Sequence, residues 1–354
     1  LVLGNSSAMA LKVLLLGGVV IGAIGVLHLL GPISSRRGKA TAAVVFVVAP
    51  FCWNAIARGD LPACVVLAVF PFLFGRLARA SGLLPAPRRS SHPRTLPGWS
   101  FGALARDAVV IGLLLALVGS FAPPVVALVG LSIAAFAVSS LATGSSLAGP
   151  SRAACAALSG IAVAVVVTLP WSLSWMLHGS GWSLLSGAVS GAGGAPAPSA
   201  FLIGHLGPFG GFWGIFGLLL ASGAALLVLR GAALELAGSC WLVALGAAAL
   251  AWTGARGALG PGWGDSLALL APAAIGISLG CGLAVSGLGS ELRRHALGWR
   301  HILSAVVACC LAVGIASGAA AALSGRAGLP DAGYEQYIAS SGAQGVLQSR
   351  WRTL

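Results

Sequence analysis

The sequence predicts an all-α fold, a polytopic integral membrane bundle of about ten transmembrane helices. Three observations predict it. Long apolar runs recur from one end of the chain to the other, each near the ~20 residues needed to cross hydrocarbon. Charged residues make up 8% of the chain, against about 25% in soluble domains. The basic residues that remain fall between the runs, on alternate connections, which is the pattern of the positive-inside bias.

The spans read in order as follows. The first covers roughly 10–31, with Lys12 at its start, placed to snorkel, and His28 near its far end. The second and third, roughly 41–57 and 61–78, are read as the shortest; Pro50 and Pro71 inside them act as kinks of the kind membrane helices tolerate. The stretch NAIARGDLP, Asn54 to Pro62, separates them and carries the scarce pair Arg58 and Asp60. Apolar runs at roughly 106–122, 124–142 and 153–170 supply three more spans, and runs at 211–229, 234–253, 266–288 and 302–323 complete the set. Glu235 opens the eighth span close to Arg230, which reads as a surface ion pair. Asp265 stands where a helix N-cap is expected for the ninth.

Charge sets orientation. With the 79–105 loop on the cytoplasmic side, the inner connections hold Arg36, Arg37, Lys39, Arg76, Arg79, Arg88, Arg89, Arg94, Arg106, Arg152, Arg230, Arg293, Arg294 and Arg300. Lys12, Arg58, Arg256, Arg326, Arg350 and Arg352 fall outside. Short loops obey this bias best, so both termini are expected outside a bacterial plasma membrane. The net charge of +13 is thereby assigned to topology and not to a nucleic-acid partner; no basic surface interleaved with aromatics is evident. Membrane lipids are the expected partners.

Residues 1–323 read as one transmembrane domain and 324–354 as an outer tail. The inner 79–105 loop is basic and Pro-rich, suited to lie near anionic headgroups. The outer loop, about 171–210, has no charge; Trp171, Trp175 and Trp182 suit the interfacial aromatic belt. A short interfacial helix followed by a flexible Gly/Ala/Pro segment is one reading of it, and a re-entrant element lining a cavity is the other. Gly18/Gly22, Gly210/Gly214, Gly276/Gly280 and Gly314/Gly318 are spaced to let helix backbones approach closely, which supports a tight bundle. The chain opens LVLGNSSAMA, without an initiator Met or a signal-peptide pattern, and reads as a piece of a longer one.

Chemistry-bearing motifs are sparse. The seven cysteines lie in or at the ends of apolar runs and none forms C-x-x-C, so no metal site and no cofactor is expected. Walker A, G-x-S-x-G, H-E-x-x-H and D-x-D-type patterns are missing, and no catalytic residue is assigned. The candidates for substrate contact are the polar residues of the outer turns: Asn54, Arg58, Asp60, Arg256 and Asp265. A guanidinium matches phosphate oxygens in bidentate fashion, so arginines there suit a lipid-phosphate-linked substrate. The competing reading is a solvated turn that keeps short helices from slipping into lipid.

Several stretches taken together carry a resemblance: LVLGNSSAMALKVLLLGG, WNAIARGDLPACVVLAVFPFLFGRLARASG, LLLALVGSFAP, LPWSLSW, LALLAPAAIGISLGCGLAV and ELRRHALGWRHILS. From about Leu1 to Ala322 the chain resembles the membrane-spanning region of large actinobacterial cell-envelope glycosyltransferases, in which a family 2 catalytic domain lies upstream. The resemblance implies a role in building envelope polysaccharide or glycolipid, with the sugar-nucleotide chemistry on that upstream domain. It brings no catalytic residue to this chain. The expected function is therefore the membrane region of such an enzyme, handling a lipid-linked or polyprenyl-linked glycan. A flippase or transporter without enzyme activity is the alternative, and a scaffold that anchors partners is a third.

Overall fold

The computed structural model describes residues 7–85, 101–169, 197–202, 204, 206–259, 266–292 and 298–324. These residues form an all-helical bundle: α1 Ser7–Leu30, α2 Arg36–Val48, α3 Pro50–Ala57, α4 Leu61–Ala80, α5 Phe101–Gly119, α6 Val125–Ala142, α7 Ala148–Val167, α8 Pro198–Leu202, α9 Phe212–Val228, α10 Ala232–Ala255, α11 Ser266–Glu291 and α12 Trp299–Leu323. Nine helices of 18 residues or more among them are apolar enough to cross a membrane, with α2 and α3 counted as one bent span, Arg36–Ala57. The apolar α9 is shorter. The second and third spans begin earlier or end later than the sequence suggests, at Arg36 and Ala80, so α9 and not either of these is the shortest. Their arginines lengthen them: a basic side chain at a helix end keeps its head in water while its stem covers apolar surface.

Both faces of α1 are apolar, and protein covers one of them. Leu15, Val19, Gly22, Val26 and Leu29 are buried, at helical spacing, while Leu16, Val20, Ile24 and Leu27 are exposed. Exposed Leu113 and Leu117 of α5, Leu158 and Val166 of α7, Leu227 of α9 and Ile302 and Val313 of α12 continue that outer apolar surface. Water would penalise an apolar coat of this extent, and hydrocarbon does not. The molecule is an integral membrane protein.

The centre is α11. Of its most apolar stretch 94% is buried, against 17% for α12, and it packs against α10, α9, α2 and α4. A helix apolar all round is a buried helix. Its sequence, SLALLAPAAIGISLGCGLAVSGLGSE, is mostly small residues, so its neighbours come close. Gly282 meets Gly38 of α2 back to back: a Cβ on Gly282 would stand 2.7 Å from the Gly38 carbonyl oxygen.

Two prolines free backbone carbonyls, and the fold uses both. Pro50 has no N–H to bond four residues back; the Phe46 carbonyl instead accepts from Cys52 Sγ at 3.2 Å and from the Ala49 N–H at 3.3 Å. The next carbonyl, Val47, accepts from Trp53 Nε1 at 2.9 Å. Pro71 frees the Leu67 carbonyl, which faces Gly22 of α1, where a Cβ would stand 2.5 Å away. The Gly18/Gly22 pair is thus a docking strip for α4. The Gly276/Gly280 and Gly314/Gly318 pairs also face neighbouring helices.

The two ends differ in charge. Ser34 Oγ lies 2.5 Å from Ser286 Oγ, which ties the α1–α2 turn to the end of α11, and Arg76 Nη1 pairs with Asp107 Oδ1 at 3.3 Å between α4 and α5. Glu291 pairs with Arg300 across the α11–α12 turn. These connections form a basic end that also carries Arg36, Arg37, Lys39, Arg79, Arg106, Arg152 and Arg230. At the opposite, sparsely charged end the described basic residues are Lys12, Arg58 and Arg256.

A pair of alanine substitutions in α1 tests the docking strip. Gly22→Ala forces a Cβ against the Leu67 carbonyl and against the Phe46 ring, 2.7 Å away, and costs about 1–3 kcal/mol. Gly17→Ala, in open space on the same helix, is neutral or stabilises by up to ~1 kcal/mol. Thermal melts of the two variants in detergent therefore move apart; a common melting temperature contradicts the close approach.

Candidate functional site

The sparsely charged end is built around one asparagine. Asn54, in the middle of the PFCWNAIA helix α3, is fully buried. Its amide Nδ2 donates to the carbonyls of Gly204 and Phe209, both at 2.9 Å, and its Oδ1 accepts from the Phe209 N–H at 3.0 Å. Every one of these partners is backbone some 150 residues away. The described residues of the 204–209 stretch, 204 and 206–209, are irregular and include two glycines, so their peptide groups lack helical partners, and a buried unpaired peptide group costs about 1–3 kcal/mol. Asn54 supplies a donor and an acceptor at one point and so replaces a strand or helix neighbour. Trp53 packs its ring on Phe209, with centroids 6.3 Å apart.

Arg58, four residues on, donates from Nη2 to the Leu206 carbonyl. Arg58 and Asn54 thus grip the same segment. The short helix α8, with Phe201 buried, leads into that segment and packs on α10. The uncharged outer loop, where described, is a folded cap held by side chains from α3; the part of it that carries Trp171, Trp175 and Trp182 lies outside the described residues.

The other candidates separate. Asp60 accepts from the Ala63 N–H at 2.9 Å and caps α4, following Gly59, whose φ of 63° makes the turn. A carboxylate at a helix N-terminus satisfies an otherwise unpaired N–H and complements the helix dipole. Arg256 stands at the C-terminal end of α10 with its guanidinium carbon 4.1 Å from the centroid of the Trp252 ring. This is a cation–π contact within one helix turn, at the end where the dipole favours a cation. Asp265, expected to cap α11, lies outside the described residues. Asn54 and Arg58 therefore come together, on a backbone segment of the chain itself. Asp60 and Arg256 each serve a helix end.

Two acidic residues make contacts between helices that the sequence did not announce. Glu235 is buried, and Ser140 of α6 donates to its Oε1, so the expected surface pair with Arg230 is replaced by an interhelical bond; Arg230 is exposed. The physical reason is register. Glu235 falls on the face of α10 that packs against α6, while Arg230 precedes the helix in the connecting turn. Asp107 was not singled out by the sequence, yet it fixes α5 to α4 through Arg76. Its one signal was an acid inside a stretch whose other charges are all basic.

The cap predicts its own lability. Asn54→Ala leaves three backbone groups of residues 204–209 without their partner, so amide hydrogen exchange there accelerates and the protein loses about 1–3 kcal/mol. Exchange unchanged at these residues rules out the clamp. Comparison with protein families, with curated proteins and with solved structures returns no match for this chain.

Proposed function

We propose that this chain is the membrane region of a cell-envelope glycosyltransferase and handles a lipid-linked or polyprenyl-linked glycan. Sugar attachment belongs to a globular family 2 domain that the sequence resemblance places upstream. The membrane is a bacterial plasma membrane, and the basic end faces the cytoplasm, as the distribution of arginines favours.

The observation that carries this reading over transport is the character of α11. A solute or headgroup crossing through the bundle needs a polar route, and intramembrane ionisable groups usually mark such routes. The described buried polar residues are Asn54, six serines and Glu235, and none of them is a charged group midway along α11. Asn54 is committed to the cap and Glu235 to Ser140 near the basic end. A close-packed centre without a buried charge supports a bundle that receives its lipid-linked substrate at the periphery and holds it for an enzyme domain.

Two assays on one preparation test the proposal. The coding region extended upstream of Leu1 is expressed, and membranes are given a radiolabelled sugar nucleotide. Label is expected to enter an organic-extractable lipid or polymer. The chain alone, reconstituted in vesicles, is expected to move fluorescent lipid between leaflets no faster than protein-free vesicles. Lipid movement without sugar transfer overturns the reading in favour of a flippase.

A further inference from the structure

A cleft of about 160 Å³ opens at the basic end between α1, α4 and α5, lined in part by His28, Phe72, Arg76, Arg79, Val110 and Leu114. Sequence reading assigned these arginines to topology alone. Three features of the cleft go beyond topology.

The first is depth. Arg76 stands four residues and Arg79 one residue before the last residue of α4, about 6 Å and 1.5 Å along the axis at 1.5 Å per residue. His28 lies in the last turn of α1. These groups sit at the level of lipid headgroups, in the few ångströms between hydrocarbon and water. The second is unused hydrogen-bonding capacity. Arg76 makes one contact, with Asp107, and no hydrogen bond or ion pair joins the side chain of Arg79 or of His28 to another described residue. Two guanidiniums against one carboxylate leave the cleft with an excess positive charge. The third is access from lipid. Ile24 and Leu27 beside the α1 wall, and Val109 and Leu113 beside the α5 wall, are exposed on the apolar coat.

A guanidinium takes phosphate oxygens in a forked pair of charge-assisted hydrogen bonds, and adjacent guanidiniums repel one another unless an anion lies between them. The volume falls below the ~300–1,000 Å³ of a site for a whole drug-sized ligand, which disfavours an enclosed sugar nucleotide. It suits a phosphate and its first carbons, with the apolar remainder lying along Leu114 and Phe72. We propose that this cleft is a binding site for the phosphate of an anionic lipid headgroup, held by Arg79 and the free side of Arg76, with His28 at the rim. The site stands apart from the glycosyltransferase reading and is tested without it.

The full chain is placed in nanodiscs of phosphatidylcholine with a minor fraction of phosphatidate, then released for native mass spectrometry. One retained phosphatidate per chain is expected. Arg79→Gln leaves the Arg76–Asp107 pair intact and is expected to weaken retention about tenfold or more. Leu114→Trp fills the cleft while keeping both arginines and is expected to have the same effect. Arg37→Gln, an exposed charge on the same end, is expected to change nothing. Thermal melts of each variant confirm folding. Equal loss in Arg37→Gln and Arg79→Gln makes the binding general surface attraction and overturns the proposal. Retention that survives Leu114→Trp places the lipid elsewhere and also overturns it. So does Arg79-dependent binding of inorganic phosphate with no phosphatidate retained, which makes the ligand a soluble phosphate.

Discussion

Backbone groups in a membrane have no water to turn to, and the structure depends on how each irregularity in this bundle answers that constraint. Pro50 and Pro71 each interrupt a helix ladder, and each interruption is met by a side chain or by a close neighbouring backbone. Trp53 Nε1 and Cys52 Sγ take up the carbonyls released around Pro50. Gly22 gives the Leu67 carbonyl a face without a side chain. The irregular stretch at 204–209 poses the same problem at larger scale, and Asn54 and Arg58 answer it. The bend of the second span and the cap over the sparsely charged end are two solutions to one deficit, and the docking of the fourth helix sets a glycine against a carbonyl released by proline.

Close packing follows from the same economy. Lipid tails are as apolar as leucine, so helices gain little from hiding leucines from lipid and gain more from backbone proximity. The most buried helix is accordingly one in which alanine, glycine and serine separate the leucines, so that neighbouring backbones come close between buried leucine side chains. Some polar side chains in the described bundle find their partner on another helix. Ser140 meets Glu235, and Ser34 meets Ser286.

Much of the fold was legible because its signals are local. A twenty-residue apolar run announces its span without reference to any other, and the alternation of arginine-bearing connections announces two unlike ends. The Gly18/Gly22 spacing announced a close contact, though not that α4 would fill it. The site was less legible because its partners are distant. Asn54 looked like part of a polar turn; its real partners lie 150 and 155 positions on, in a loop whose composition suggested flexibility. Glu235 looked like the partner of Arg230 because the two are near in sequence, but helical register turned it toward α6. Asp107 and Arg76 are 31 positions apart, and only the packing of α5 on α4 made them a pair.

The position of α11 in the chain bears on biogenesis. Translation delivers the earlier helices first, so seven of the nine described candidate spans, and the shorter α9, precede the one that fills their middle. Until then the faces of α2, α4, α9 and α10 that pack on α11 border a gap that lipid or loosely arranged neighbours must occupy. The assembly resembles an arch whose keystone arrives after the stones it holds, and a ribosome stalled after Arg256 would leave in the membrane a set of helices with nothing at their common axis.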